Sequence, residues 1–276
     1  MRLNHLNYLL SVLFFSLFTS GSALGYSIVA TFGDSISDNG NVMRFSDGTI
    51  WVEHLANQQS ATLFDYAYGG ATTSYDNPSI GSADTGLLWQ VDTFGASVGS
   101  QPASEALITV WAGANDFLQS RSPTEAVANI DTALQNLYSS GGRNFLLPNL
   151  PDIGKTPRFF LEQPATSPIA TAWTQAFNTA FDAMLYNFDS QYSDANLVSI
   201  DTFTIFDQYV AGSQEWLDLF WVDGFHPSSA GHELIYQEAV AAMASVPEPT
   251  TFLLFGAGLA GIVGQSRRRR KSKAIS

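Results

Sequence analysis

Cysteine is missing from all 276 positions of the chain. Disulfides, thiolate nucleophiles, iron–sulfur clusters and cysteine-ligated zinc are excluded with it. Histidine is scarce, at four residues; a His/carboxylate metal site stays open, but no HExxH or comparable spacing occurs. Positive charge is scarce as well. The net charge of −13 hides an uneven spread, because Arg267, Arg268, Arg269, Arg270, Lys271 and Lys273 crowd the last ten positions. Between Tyr26 and Val246 only Arg44, Arg121, Arg143, Lys155 and Arg158 stand against 24 acidic residues. A body that acidic repels phosphate backbones and anionic lipid, so nucleic acid is excluded as a partner and neutral substrates fit better. A hydrophobic content of 45% with 13% charged residues is that of a folded chain, long enough for one good-sized core with short segments at either end.

Those two ends read as addresses. Residues 1–25 combine Arg2, an apolar run from Leu9 to Phe18 and the small-residue stretch TSGSALG, the charged, hydrophobic and cleavable pattern of a secretory signal peptide. The competing reading is a buried helix of the fold, but the following segment YSIVATFGD supplies a first strand by itself. Residues 246–276 hold Val246-Pro-Glu-Pro249, an apolar stretch from Phe252 to Val263 and the arginine cluster. That stretch is short for a membrane span of ~20 residues, and the arginines would stay cytoplasmic. Together these features resemble a PEP-CTERM sorting signal. The resemblance implies an exported protein of a Gram-negative bacterium, processed by an exosortase-type machinery and transiently anchored in the inner membrane through this segment. An ordinary tail anchor is the alternative, and both place the domain outside the cytoplasm.

Between the ends, residues 26–245 form the expected single domain, without internal repeats. Apolar, β-branched runs at Ser27–Phe32, Leu63–Tyr68, Ala106–Trp111, Asn144–Pro148 and Asn196–Asp201 alternate with helical patterns. This predicts an α/β fold, a three-layer α/β/α sandwich around a parallel five-stranded sheet. The helices read as Thr124–Tyr138, with Gly141 as stop signal, Ala170–Tyr192, and a last one from Ser229 towards Met243. Residues Asp76–Ser104, rich in Gly, Ser and Asp, read as a long loop shaping a cleft. Tyr75, Trp89, Phe94 and Trp111 are expected near that cleft, to suit an acyl chain or a sugar ring.

In such a sheet chemistry gathers at the carboxyl ends of the strands. The first strand runs into Gly33-Asp34-Ser35-Ile36-Ser37. A serine at a strand-to-helix turn presents its hydroxyl and places its N–H near a helix N-terminus, which suits both attack and oxyanion stabilisation. The G-x-S-x-G elbow is absent, which disfavours an ordinary α/β-hydrolase. The second strand ends in Tyr68-Gly69-Gly70-Ala71-Thr72, where glycine lets backbone approach a substrate; a plain turn is the alternative. The third ends in Gly113-Ala114-Asn115-Asp116, whose asparagine amide is either an oxyanion donor or a helix cap. Near the end, Asp223-Gly224-Phe225-His226-Pro227 sets a base and a carboxylate to orient it on one tight loop. His54 and His232 read as structural, and Asp34, Asp38 and Asn41 as residues that shape the first loop.

Taken in order, FGDSISDNGN, YGGAT, GAND and DGFHP closely resemble the four signature blocks of the GDSL lipases/esterases, or SGNH hydrolases, over residues 32–232. Asn149-Leu-Pro-Asp-Ile-Gly-Lys-Thr-Pro157 resembles the segment after the fourth strand in their lipase and phospholipase-like branch. The resemblance implies the flavodoxin-like SGNH fold, with Ser35 as nucleophile, His226 as base and Asp223 as its orienter. It implies an oxyanion hole of the Ser35 and Gly70 amides and the Asn115 side chain; Gly70 is preferred to Gly69 because the family's glycine precedes the alanine. The first block has isoleucine where the family name has leucine, which keeps an apolar residue. The function so implied is an exported serine esterase or lipase that needs no cofactor or metal and acts on a neutral ester: a lipid, a short acyl ester or an acetylated glycan. An acyltransferase or polysaccharide deacetylase of the same family, and a non-catalytic envelope or matrix-binding protein on a hydrolase fold, stay open.

Overall fold

The computed structural model describes residues 25–81, 84–95 and 103–245. The expected signal peptide, apart from Gly25, and the whole 246–276 segment lie outside the described residues. Five strands, β1 (Ile28–Gly33), β2 (Thr62–Asp65), β3 (Ala106–Trp111), β4 (Asn144–Pro148) and β5 (Asn196–Ile200), form one sheet. Their order is β2-β1-β3-β4-β5 and every pair is parallel. All residues of β1, β3 and β4 are buried. A parallel sheet covered on both faces requires this, and it is why these strands read as continuous apolar runs. The edge strands β2 and β5 are partly exposed.

The named helices are α1 (Trp51–Gln59), α2 (Leu87–Phe94), α3 (Ala114–Leu118), α4 (Pro123–Ser139), α5 (Ser167–Gln191), α6 (Gln214–Leu217) and α7 (Ser229–Ser245). Right-handed crossovers decide their layer. The chain steps one way from β1 to β2 and the other way from β2 onward, so α1 falls on one face and α2, α4 and α5 on the other. Contacts agree: α4 packs on both α2 and α5, while α1 meets α7, His54 stacking on Tyr236 at 5.4 Å. Pro123 opens α4 at its first turn, and the buried stripe Ala126, Val127, Ile130, Ala133, Leu134 and Leu137 faces the sheet side. In α5 the rings of Trp173, Phe177 and Phe181 stack successively at 5.5 and 5.9 Å. The expected α/β sandwich is therefore observed. The compact unit carrying the sheet ends at Ala242, and the last residues of α7 open a second unit that otherwise lies outside the described residues.

Two expectations need correction. The segment Asp76–Ser104 is not all loop, because α2 lies within it; Leu87, Leu88, Gln90 and Val91 are buried, and this apolar face drives helix formation despite the Gly/Ser/Asp flanks. The second strand stops at Asp65 rather than Tyr68. The Asp65 carboxylate accepts the Ala67 and Asn39 N–H groups at 2.8 and 2.6 Å, which turns the chain out of the sheet.

His232, in the first turn of α7, has no exposed surface. Its Nδ1 accepts the Trp51 N–H at 3.4 Å, and its Nε2 is buried without a partner. Burial, reinforced by the nearby Arg44 guanidinium, holds this imidazole down at about 3. The unfolded chain takes up a proton near the ordinary value of 6.5, so the folded state gains from His232 above that pH. The gain is lost as pH falls towards about 3. The expected outcome is a loss of about 1.4 kcal/mol per pH unit below that midpoint, which His232→Asn, able to keep the bond to Trp51, should remove. Urea unfolding of both proteins across acidic pH measures it; parallel profiles would refute the account.

Candidate active site

Strand order reverses between β1 and β3, and the chain leaves the two strand ends towards opposite faces, opening a crevice at their carboxyl ends. Ser35 follows β1 and Asn115 follows β3. The approach of the two ends is so close that a Cβ on Gly33, whose φ is +149°, would lie 2.0 Å from the Trp111 carbonyl oxygen. Only glycine fits. The buried Gln90 side chain pairs with both backbone groups of Gly33, its Oε1 accepting the N–H and its Nε2 donating to the carbonyl, each at 2.8 Å. A single turn follows, with the Ser37 and Asp38 N–H groups donating to the Asp34 carbonyl at 3.1 Å and the Ile36 N–H to the Asp34 carboxylate at 3.1 Å. The Ser35 N–H, an orphan donor at the start of that turn, has no protein acceptor among the described residues.

His226 reaches this turn from the loop between α6 and α7. Its Nε2 lies 2.7 Å from Ser35 Oγ, and its Nδ1 lies 2.5 Å from Asp223 Oδ2. The other carboxylate oxygen, Oδ1, accepts the Phe225 and His226 N–H groups at 3.0 Å each, so one residue folds the loop and faces the imidazole. Gly224 takes φ +65°, and its carbonyl accepts the Arg158 N–H at 2.8 Å. The Trp221 N–H donates to the His226 carbonyl at 2.8 Å, closing the loop's base. Burial pushes the Asp223 carboxyl up, but the bonds from the His226 ring and the two amides outweigh it and hold it below the usual range. An ionised Asp223 leaves the imidazole proton on Nδ1 and turns Nε2 into an acceptor for the Ser35 hydroxyl. Ser35 is 7% exposed and the His226 side chain 12%: sheltered, yet open to a ligand.

The loop after β2 brings its glycine pair alongside. Gly69 donates its N–H to Asp38 Oδ2 at 2.7 Å, whereas the Gly70 N–H has no protein acceptor among the described residues. Gly70 adopts φ +83°, and a Cβ there would meet Ser79 Cβ at 2.4 Å and Asn77 Oδ1 at 2.7 Å. Asn115 Nδ2 donates to the Ala71 carbonyl at 3.0 Å and keeps only a long contact, 3.4 Å, to Asp34 Oδ2. Asp34 is buried, and this, with Asp116 and Asp38 nearby, pushes its carboxyl up to about 7 against the opposing Ile36 N–H. Asp38 accepts the Gly40, Asn41 and Val42 N–H groups besides that of Gly69, and Asp116 accepts both the N–H and hydroxyl of Thr73. These carboxylates tie the three strand-end loops to one another. Among the described residues no group of three or more His, Asp or Glu side chains could hold a metal ion.

A cavity of about 270 Å³ adjoins the turn, lined by Ile36, Phe203, Phe206, Trp216, Phe220 and Phe225 among others. These aromatics are not the expected ones. Trp111 is 1% exposed and packs edge-on against Trp51 at 5.4 Å; Phe94 stacks on Tyr66 at 4.7 Å, Trp89 meets Tyr68, and the Tyr75 hydroxyl donates to Asp92. Phe94 and Trp89 of α2 are taken up by Tyr66 and Tyr68 and Trp111 by Trp51 of α1, while Tyr75 stays 47% exposed. The density of aromatic residues from Phe203 to Phe225 was the available signal for the lining of this cavity. A larger and more polar hollow of about 380 Å³, lined by Asn149, Asn178, Asp182 and Asp201 among others, borders Phe203 but includes none of the residues around Ser35.

Comparison with known proteins places the chain in a family. A model of the GDSL-like Lipase/Acylhydrolase family matches residues 29–239, and one of the PEP-CTERM protein-sorting motif matches residues 245–270. The chain is 28% identical over 207 residues to the thermolabile hemolysin of Vibrio parahaemolyticus, covering 68% of this chain and 48% of the hemolysin. It is 25% identical over 257 residues to an acetylesterase of Thermothelomyces thermophilus, covering 81% of this chain and 85% of that one. The chain thus spans about half the length of the first relative. A crystal structure of a lipolytic G-D-S-L family protein from Veillonella parvula shares the fold, with a TM-score of 0.55 at 18% identity over 79% of this chain and 99% of that one. Since the family model spans nearly the whole of the described domain, the chain belongs to the GDSL-like lipase/acylhydrolase family.

Proposed function

We propose that the chain is an exported serine hydrolase that cleaves carboxylic esters, with residues 26–245 as the catalytic domain. The observation that carries the reading is the hydrogen-bonded series Ser35–His226–Asp223. Ser35 Oγ attacks the ester carbonyl carbon as its proton passes to His226 Nε2, and Asp223 steadies the imidazolium. The tetrahedral oxyanion is held by the Ser35 and Gly70 N–H groups and by Asn115 Nδ2, which keeps Ala71 and turns its second hydrogen from Asp34 to the oxyanion. The carbon–oxygen bond to the alcohol then breaks with the proton returned by His226. Water repeats the sequence on the acyl-enzyme, releasing the acid and restoring Ser35. The acetylesterase relative supports ester chemistry. The sorting-motif match at residues 245–270 supports export in a Gram-negative bacterium, exosortase processing and transient anchoring through the tail. Residues 1–25 serve as the signal peptide in this reading. Among the described residues no helix is long and apolar enough to cross a membrane.

Ser35→Ala is expected to lower hydrolysis of p-nitrophenyl butyrate by about 10⁴-fold or more; retention of full activity would remove Ser35 from its role. Labelling by a fluorophosphonate probe, present in the natural sequence and lost in that variant, checks the same serine independently.

Asn115→Ala is expected to reduce kcat about 10²–10³-fold with little change in KM, the signature of a contact made in the transition state. Both Gly69→Ala and Gly70→Ala should lower stability, because a methyl group would strike the Phe45 ring at 2.1 Å in the first and Ser79 Cβ at 2.4 Å in the second, but only Gly70→Ala should also lower the kcat of the folded fraction. Paired steady-state kinetics and thermal melts separate these outcomes.

A further inference from the structure

The imidazole of His226 is held at its two nitrogens by Ser35 and Asp223, and its flanks are covered by rings. Among the described residues three aromatic side chains stand around it, with centroid distances of 4.9 Å for Phe45, 5.2 Å for Phe225 and 6.5 Å for Trp221. Phe225 and Trp221 belong to the His226 loop and move with it. Phe45 comes from the segment between β1 and α1, so it steadies the imidazole from outside that loop. Its ring is tilted by 34° against the imidazole, nearer to stacked, whereas Phe225 stands edge-on at 86°.

The segment that carries Phe45 is tied down on three sides. Arg44 forks onto Glu53 in the first turn of α1, both bonds at 2.6 Å, and donates to the Gly48 carbonyl at 2.9 Å, which closes residues 44–48 into a short loop. The Asp47 carboxylate accepts the Ser229 N–H at 2.7 Å, just beyond His226 at the start of α7. Gly48 lies against the same serine, since a Cβ there would come within 2.8 Å of Ser229 Cβ. The Phe45 ring itself rests on Gly69, where a Cβ would lie 2.1 Å from it. One short segment therefore backs the imidazole and anchors the exit of its loop.

The order of the proton transfers shows what such a hold does. In the resting site Ser35 and Asp223 keep the imidazole in place at both ends. Once Nε2 has taken the hydroxyl proton and Oγ is bonded to the acyl carbon, the imidazolium must turn its Nε2–H to the oxygen of the leaving alcohol. At that moment Asp223 holds one end only, and the ring packed against the imidazole limits its rotation. A phenyl ring so placed also favours the cationic form of its neighbour through the negative charge of its face.

We propose that Phe45 is a positioning residue, whose ring holds the His226 imidazolium while the Nε2 proton passes to the leaving alcohol, and that Arg44, Asp47 and Gly48 set the ring there. This deepens, and rests on, the esterase reading of Ser35. In that step the bond from the acyl carbon to the alcohol oxygen breaks, its electron pair stays on the oxygen, and the Nε2 proton completes the free alcohol. An alkoxide needs that proton; p-nitrophenolate, a far weaker base, leaves without it. The full-length protein and its variants are compared on ethyl butyrate and p-nitrophenyl butyrate, which differ only in the alcohol. For each ester kcat/KM covers the steps up to the acyl-enzyme, and the ratio of the two does not depend on how much of a preparation is folded. Phe45→Leu should lower the ethyl to p-nitrophenyl ratio about tenfold or more, a part of the ~10²–10⁴-fold that positioned proton transfer contributes. Phe45→Tyr, which keeps the ring, should hold the parental ratio within about twofold. Asp47→Ala, at an exposed position, should lower the ratio in the same direction, and it carries the test if Phe45→Leu leaves too little folded protein to assay. An unchanged ratio in either variant, with both esters losing equally, would overturn the proposal and leave the segment a packing role. So would a Phe45→Tyr ratio as low as that of Phe45→Leu. No Ser35-dependent hydrolysis of either ester by the parent would instead overturn the esterase reading.

Discussion

The end of β1 is held where no side chain fits, and the site depends on that contact. Gly33 abuts the Trp111 carbonyl, and the next residue closes the gap, the Asp34 N–H donating to the same oxygen at 3.2 Å. Gln90 completes the pinning by pairing with both backbone groups of Gly33. The two strand ends are thereby fixed by paired backbone, and Ser35 and Asn115 follow them by two and four residues. Their separation is a property of the sheet rather than of mobile loops, which is how a site keeps its geometry before substrate arrives.

The loops beyond those strand ends are organised by carboxylates rather than by apolar packing. Asp38 accepts four backbone N–H groups, nearly the whole capacity of an ionised carboxylate. One of the four is Gly69, and this leaves the neighbouring Gly70 as the glycine with a free N–H at the crevice. Asp65 makes a similar pair of bonds at the end of β2, where burial pushes its carboxyl up to about 7 against those bonds. Burying such groups is unfavourable unless every lone pair finds a donor. What they achieve here is specification of loop conformation, since backbone N–H groups in irregular segments have no ladder to satisfy them.

How much of this could be read from residues alone differs by element, for physical reasons. The bounds of β3 and β4 coincide with the apolar runs Ala106–Trp111 and Asn144–Pro148 because central parallel strands are buried on both faces and polar residues resume where burial ends. The residues that meet at the crevice, Ser35, Gly70, Asn115, Asp223 and His226, lie within short motifs whose order follows the order of strand ends. The helix α2 was hidden because its apolar face is only eight residues long and set among Gly, Ser and Asp. Gln90 carried no local signal: the strand residue it pins, Gly33, is 57 residues away, and an amide inside an apolar helix looks like a surface position. The aromatic cavity was hidden for a related reason. Ring composition shows that a segment packs, but not whether it packs against core or around empty space.

Asp34 and Asp223 are the same residue type in one crevice, yet their surroundings drive them apart. Asp34, buried beside two other carboxylates, is pushed up to about 7, while Asp223, partly exposed and bonded to the His226 ring, is held low. The ionised form therefore stands on the imidazole side of Ser35, and the carboxyl nearest Asn115 retains a proton more readily. In the proposed mechanism that partition suits ester cleavage, because there the charge that develops on His226 is positive and the charge that develops beside Asn115 is negative. The acidic body as a whole favours the first of these charges and opposes the second. On the proposed mechanism, a hydrolase with this surface needs its oxyanion donors close and fixed, and the pinned ends of β1 and β3 hold Ser35 and Asn115 in that way.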